Sequence, residues 1–436
     1  MMRGSWACLT TRARAGSRRR WLALVGFLLL GTLGQASQLL IPMDRTQANH
    51  LKAYGIAFWV LQNGGEVEWL LNYRGGSFMM PDVPSIQREC IIRGVSTETL
   101  ADVQAQQILA QIAHPEENME RVKLEVVPRI AVYSPEGALP WDDAVTLVLT
   151  YAEIPYEVIY DAEILAGDLS RFDWLHLHHE DFTGQYGKFY GAYRNAAWYQ
   201  AEVAGQEKSA RTLGFHKVSV MKRQVALTIR DFVLGGGFLF TMCSGTDSFD
   251  IALAAEKVDI CASEFDGDPI DPGAERMIDY ERGLAFTDYA INTNPMVYEF
   301  SDIDATEAHN KLKQLNDFFT LFDFSAKWDI IPTMLTQSHE RVIPGFMGQT
   351  TAFAHDFVRS DVTVLGETKA AGSAKYIRGT LGEGQWTYYG GHDPEDYRHL
   401  VNDPATDLSL HPNSAGYRLI LNNILFPAAR KQERKT

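Results

Sequence analysis

The sequence predicts an α/β fold: a parallel sheet with helices on both faces, an N-terminal β-α-β extension and an insertion near residues 257–330. Three observations carry that prediction. From residue 129 onward, short apolar runs of strand length alternate with longer runs of helical spacing. Two of the apolar runs end in chemically active residues, His178-His179 and Cys243, where strand ends meet an open sheet edge. The alternation stops over 257–330, an acidic stretch rich in Asp, Pro and Phe, and then resumes.

Taken in order, Leu39 to Pro42 reads as a strand. Residues 46–62 form a helix with Leu51, Tyr54, Phe58 and Leu61 on one face, and residues 66–71 form a second strand. Arg74-Gly75-Gly76 closes this first β-α-β unit. Residues 99–112 are a helix, and 114–125, polar and broken by Pro115, are a linker. The main series follows, with strands at 130–133, 156–160, 172–177 and 238–242. Its helices lie at 142–152, capped by Asp142 or Asp143, at 218–233, and from Ser248 onward. After the insertion come strands at 342–347, 362–365, 374–378 and 385–389, then a helix at 417–425 capped by Ser414. The expected organisation is a leader (1–36), an N-terminal region (37–126) and a main domain (127–430).

The leader is a different material from the rest. It holds Arg3, Arg12, Arg14, Arg18, Arg19 and Arg20 and no acid, then an apolar run from Trp21 to Leu33 and a small-residue site at Gly34-Gln35-Ala36. This is the pattern of a secretory signal peptide, and its apolar run is short for a membrane span. Ser17-Arg18-Arg19-Arg20-Trp21-Leu22 also fits a twin-arginine signal. The expectation is an exported chain, periplasmic or secreted, with no stable membrane insertion after leader cleavage. Losing the six leader arginines takes the formal net charge from −15 to −21. Such an acidic surface repels phosphate backbones, so no nucleic-acid partner is expected. The mature chain keeps Cys90, Cys243 and Cys261. An odd count leaves one thiol unpaired: either Cys90 bridges Cys261, or all three are buried thiols.

The chemistry gathers at two distant segments. Gly235-Gly236-Gly237-Phe238-Leu239-Phe240-Thr241-Met242-Cys243-Ser244-Gly245 reads as a strand running into a tight turn with a thiol at its apex. There, backbone N–H groups and a helix N-terminus favour a thiolate and an oxyanion. Gly390-Gly391-His392-Asp393-Pro394-Glu395 supplies an imidazole and a carboxylate. Thiol, imidazole and carboxylate are the parts of a nucleophilic hydrolase. The expected catalytic residues are Cys243 as nucleophile, His392 as base and then acid, and Glu395 as its orienter. Backbone N–H groups of Ser244 and Gly245 are expected in the oxyanion hole.

His176, His178, His179, Glu180 and Asp181 form a second cluster. In a strand, His176 and His178 share one face and His179 takes the other. Two histidines and a carboxylate suit Zn²⁺ or Fe²⁺. The expected reading is instead a polar strand end lining the same cleft, in which His178, His179 and Glu180 bind substrate without a metal or cofactor. The aromatic-rich stretch after it, including Tyr186, Phe189, Tyr193, Trp198 and Tyr199, suits either a sugar platform or a subdomain core. Tyr186 is counted among the substrate-binding residues. Asp266-Gly267-Asp268-Pro269-Ile270-Asp271 resembles a calcium loop but fails the EF-hand spacing.

Residues 127–430 resemble the class I glutamine amidotransferase-like fold, which implies a flavodoxin-like parallel sheet bearing the nucleophile turn. The segments 172–178, 235–238 and 384–393 are similar to the trehalose-utilisation (ThuA-like) branch, which often lacks a complete triad. The mature chain also resembles an exported bacterial family commonly labelled asparagine synthetase B, through 152–156, 176–187 and 243–250. Ser244-Gly245-Thr246-Asp247-Ser248 is similar to that label's pyrophosphate loop but one residue short. No thiol stands at the mature N-terminus, where the leader prediction puts Ser37. The resemblance implies a Cys-dependent amide hydrolase or amidotransferase acting on a small molecule. The alternatives are a non-catalytic ThuA-like module binding a glycan, and a glutamine-hydrolysing asparagine synthetase.

Overall fold

The computed structural model describes residues 37–135, 143–400 and 403–429. The leader and Asp142 lie outside these residues. The strands are β1 (Ser37–Ile41), β2 (Val67–Leu71), β3 (Ser77–Pro81), β4 (Glu98–Ala101), β5 (Glu120–Leu124), β6 (Ile130–Tyr133), β7 (Glu157–Ile159) and β8 (Trp174–Leu177). Then come β9 (Phe238–Met242), β10 (Phe318–Leu321), β11 (Val342–Pro344), β12 (Phe353–Ala354), β13 (Thr363–Thr368), β14 (Ser373–Leu381) and β15 (Gly384–Tyr389).

The N-terminal region is a five-stranded antiparallel sheet in the order β4-β1-β3-β2-β5, so the expected β-α-β unit is split: β1 and β2, joined by the helix His50–Gln62, run in the same direction but have β3 between them. The turn at Arg74-Gly75-Gly76 explains the difference. Gly75 and Gly76 hold φ of 77° and 89° and fold β2 straight back onto β3 as a hairpin. A connection that short cannot make a parallel crossover.

The second sheet is mixed, which corrects the expectation of a flavodoxin-like parallel sheet with helices on both faces. Its order is β11-β10-β13-β14-β15-β9-β8-β6-β7, with β12 paired to β14. The strands from β15 to β7 are parallel. The strands from β11 to β15 are antiparallel, and β12 pairs antiparallel with β14. The helices Ala144–Ala152 and Val218–Leu234 fall between strands of the parallel half, whereas tight turns link β13, β14 and β15. Within the expected insertion, β10 belongs to this main sheet.

One apolar cluster joins both sheets through the helices His50–Gln62, Ala144–Ala152 and Ala415–Leu425. Gly55 permits the first two to cross closely, because a Cβ there would lie 1.9 Å from the Ala152 carbonyl oxygen. Every residue of Ala415–Leu425 is buried, Arg418 included. Arg418 is satisfied inside the core by donating to Tyr54 Oη and the Met43 carbonyl, both at 2.9 Å, and to the Gly75 carbonyl. Ser414 caps this helix as expected, accepting from Tyr417 N. Among the described residues, no helix is long and apolar enough to cross a membrane.

Candidate functional site

The parallel pairing sets β6, β8, β9 and β15 with their carboxyl ends at one edge. The residues that follow those ends, His178, Cys243 and His392, therefore meet, as the sequence leads one to expect. Asp143 joins them from the start of the helix Ala144–Ala152. Its carboxylate caps that helix through the N–H groups of Val145 and Thr146, at 2.7 and 3.1 Å. The same carboxylate lies 3.2 Å from His176 Nε2 and 3.6 Å from His178 Nδ1.

Cys243 sits at the turn between β9 and the helix Gly245–Ala254 with φ +50°. A side chain with a Cβ is strained in that region, so the surrounding contacts must hold it there. Its own N–H donates to the Gly391 carbonyl at 3.2 Å, and its carbonyl accepts from Thr246 Oγ1 at 2.6 Å. Its Sγ accepts from Gln349 N at 3.3 Å, and the backbone N–H groups of Ser244 and Thr350 also point at the sulfur. Burial pushes the thiol pKa up and the three N–H groups pull it down, leaving it above its ordinary value.

His392 is buried, but Glu395 does not orient it. The Glu395 carboxylate pairs with His411 Nδ1 at 2.9 Å instead. The cause is local: Asp393 Oδ1 accepts the Glu395 backbone N–H at 2.8 Å, a tight turn that swings the glutamate outward. The His392 ring packs on other imidazoles, 4.5 Å from His178, 6.0 Å from His179 and 4.7 Å from His399 between centroids. Its two nitrogens have no hydrogen-bond partner among the described residues. Burial pushes the pKa values of His178 and His392 well below their ordinary value, and that of His179 down to about 4.

His179 corrects a second expectation. Because β8 ends at Leu177, the chain is no longer a flat strand at His178 and His179. Both rings turn into one cluster, 5.1 Å apart, instead of facing opposite ways. His176 and His178 do share a face, and both meet Asp143.

Sequence reasoning missed Lys375, which lies on β14 and is fully buried. Its Nζ donates to the carbonyls of Phe346 and of Thr351 (2.8 Å for the latter) and stands 3.8 Å from the Phe346 ring centroid. Burial pushes its pKa down to about 7, against the opposing pull of Asp317, Cys243 and Asp304. The available signal was a lysine inside a strand that otherwise reads as buried. Asp304, a half-buried group that also interacts with Lys375, is pushed up to about 7 by desolvation.

Of the other expected residues, Glu180 and Tyr186 take their partners away from this centre. Glu180 accepts from Tyr160 Oη at 3.1 Å, beside the buried Lys222 that bonds Tyr133, Tyr160 and Asp161. Burial, opposed by Lys222, pushes the Glu180 carboxyl up to about 7. Tyr186 packs with Tyr199 and Phe265 in an aromatic core cluster that also takes in Phe189, Tyr193 and Trp198. Gly245 donates its N–H to the His178 carbonyl at 2.7 Å, which removes it from an oxyanion hole. The segment from Ser244 to Ser248 is buried. Asp247 Oδ1 accepts from Thr350 Oγ1 at 2.8 Å, and Ser248 Oγ donates to the Glu180 carbonyl at 3.0 Å. Cys90, Cys243 and Cys261 are all free thiols. The loosely calcium-like loop holds a lysine: Lys217 Nζ pairs with Asp259, Asp266 and Asp268.

No family model matches the chain, and no curated protein matches it. Among solved structures, the chain is similar to the cytoplasmic protein STM3548 from Salmonella typhimurium at 10% identity, covering 70% of this chain and 100% of that one with a TM-score of 0.35. It is similar to the cytoplasmic protein STM1381 from Salmonella typhimurium LT2 at 11% identity, covering 69% and 100% with a TM-score of 0.33. A third is Gan42B, a GH42 beta-galactosidase from G. stearothermophilus, at 13% identity, covering 62% and 28% with a TM-score of 0.26. At these scores the likenesses carry no argument about what this chain does.

Proposed function

We propose that this chain is a thiol-dependent acyl-transfer enzyme that hydrolyses carboxamides, with Cys243 as its nucleophile. The observation that carries the reading is the strained φ of Cys243 at a strand-to-helix turn, with its sulfur facing three backbone N–H groups. That strain costs about 1–3 kcal/mol, and it aims one side chain at a fixed point.

Because the thiol is raised above its ordinary pKa, it reacts by giving up its proton as it attacks. Lys375, poised near neutrality and interacting electrostatically with Cys243, is the acceptor. The S–H proton passes to the Lys375 amine, the sulfur bonds to the amide carbon, and the carbonyl oxygen takes the displaced electron pair. When the C–N bond breaks, the Lys375 ammonium returns its proton to the leaving nitrogen. Water then hydrolyses the thioester. His392, whose nitrogens bond neither Glu395 nor the thiol, takes no part in this sequence.

The test is ammonia release from a panel of small carboxamides, glutamine included, by the purified protein. The expected result is turnover that Cys243→Ala abolishes and Glu395→Ala leaves intact. Turnover that survives Cys243→Ala refutes the proposal. The arginine-rich leader supports export of the mature chain. N-terminal sequencing of protein recovered from a bacterial periplasm tests that point, with Ser37 as the expected first residue.

A further inference from the structure

We propose that His178, His179 and His392 form a binding site for one zinc-class divalent cation, with Asp143 as the positioning residue behind His178. Each histidine offers one ring nitrogen, and these atoms all lie within 4.8 Å of one another. The three come from two segments far apart in the chain, brought to one edge by the pairing of β8 with β9 and of β9 with β15. His178 and His392 are 1% and 6% exposed, and neither ring has a hydrogen-bond partner for either nitrogen among the described residues. Leaving such groups buried and unsatisfied is costly, and a cation is the partner that several converging imidazoles satisfy together.

The donor set selects the ion. Three imidazoles without a thiolate or a bidentate carboxylate suit Zn²⁺, Co²⁺ or Ni²⁺, not Ca²⁺ or Mg²⁺. Zinc–nitrogen bonds of about 2.0–2.1 Å put tetrahedral ligands roughly 3.4 Å apart, so small ring rotations close the site. Three protein ligands leave the fourth position to water or to a substrate oxygen. The Asp143 carboxylate, 3.6 Å from His178 Nδ1 and beyond hydrogen-bond length as it stands, is placed to take that N–H once the ring turns its Nε2 to an ion. The His392 ring is backed by His399, stacked at 4.7 Å and itself fixed by Asp396 at 3.0 Å. The Cys243 sulfur, occupied by backbone N–H groups, is not a ligand.

The experiment loads the chelator-stripped full chain with Co²⁺ and Zn²⁺. The expected result is one equivalent of Co²⁺ with the intense visible bands of a tetrahedral site. The zinc form should show three imidazole ligands and no sulfur by X-ray absorption. His179→Ala and His392→Ala should lower affinity about 100-fold or more and Asp143→Asn about 10-fold, while His399→Gln and Cys243→Ala keep one equivalent. Folding of each variant is checked by circular dichroism. The absorption measurement on the unaltered chain decides the matter even where a variant does not fold. No stoichiometric uptake, or a shell containing sulfur, overturns the proposal. Because Cys243→Ala keeps the metal and abolishes acyl transfer, failure of this site and failure of the thiol mechanism are separate results.

Discussion

Replacing Lys375 with methionine tests whether this amine is poised near neutrality. Methionine keeps an unbranched chain of similar reach but cannot be charged. It leaves the Phe346 and Thr351 carbonyls without their donor, a loss of about 1–3 kcal/mol each that does not depend on pH. The pH-dependent part is separable. Lys375 has a folded pKa of about 7 against an ordinary 10.5. Its folded value is depressed, so between those limits the unfolded chain binds a proton that the folded chain does not. The stability it contributes is fully present above the unfolded pKa and is lost as pH falls through the folded one. The slope is about 1.4 kcal/mol per pH unit, so from about pH 7.5 to about pH 9 the native chain gains roughly 2 kcal/mol that Lys375→Met does not. Urea unfolding of both proteins at the two pH values measures the difference, with the constant carbonyl penalty cancelling. A stability gap that does not change with pH refutes the assignment of Lys375 as a depressed, proton-accepting amine.

Two further outcomes follow from the packing. A Cβ on Gly245 would lie 2.2 Å from the His178 carbonyl oxygen, so Gly245→Ala must push that backbone away. The expected cost is ~2 kcal/mol by denaturant unfolding, in spite of alanine's better helix propensity, with weaker metal uptake at His178. Glu395→Ala removes only a partly exposed pair with His411, so stability should fall by less than about 1 kcal/mol and kcat/KM should not change.

The parallel half of the main sheet was legible because helix-length segments such as Ala144–Ala152 and Val218–Leu234 separate its strands. The same rule misled where no helix intervenes. Gly372 and Gly382, both at positive φ, mark the tight turns that lay β13, β14 and β15 side by side in antiparallel order. In the N-terminal region, β5 (Glu120–Leu124) alternates charged and apolar residues on a sheet edge, and its polarity reads as linker. Residues 98–101 form β4 before the helix Asp102–Ala113 begins, a boundary that periodicity does not resolve.

The location of the site was legible because strand order brings His178, Cys243 and His392 to one edge. The partners of those residues were not. One turn bond from Asp393 decides where Glu395 points, and the loop that offers Gln349 and Thr350 to the sulfur is 106 residues from Cys243 in the chain. Asp143 could be read as a cap but not as the carboxylate shared by His176 and His178.

The most direct test of Cys243 as the nucleophile is site-resolved alkylation of the native protein with iodoacetamide near neutral pH, read by peptide mass spectrometry. Cys90 and Cys261 are controls matched for burial. Burial pushes Cys90 up to about 12 and Cys261 well above the ordinary thiol value, and among the described residues neither has three backbone N–H groups acting on its sulfur as Cys243 does. Cys243 should be modified fastest of the three, and Lys375→Met should slow it while leaving Cys90 and Cys261 unchanged. Modification of Cys243 no faster than of Cys90 and Cys261 would contradict the account.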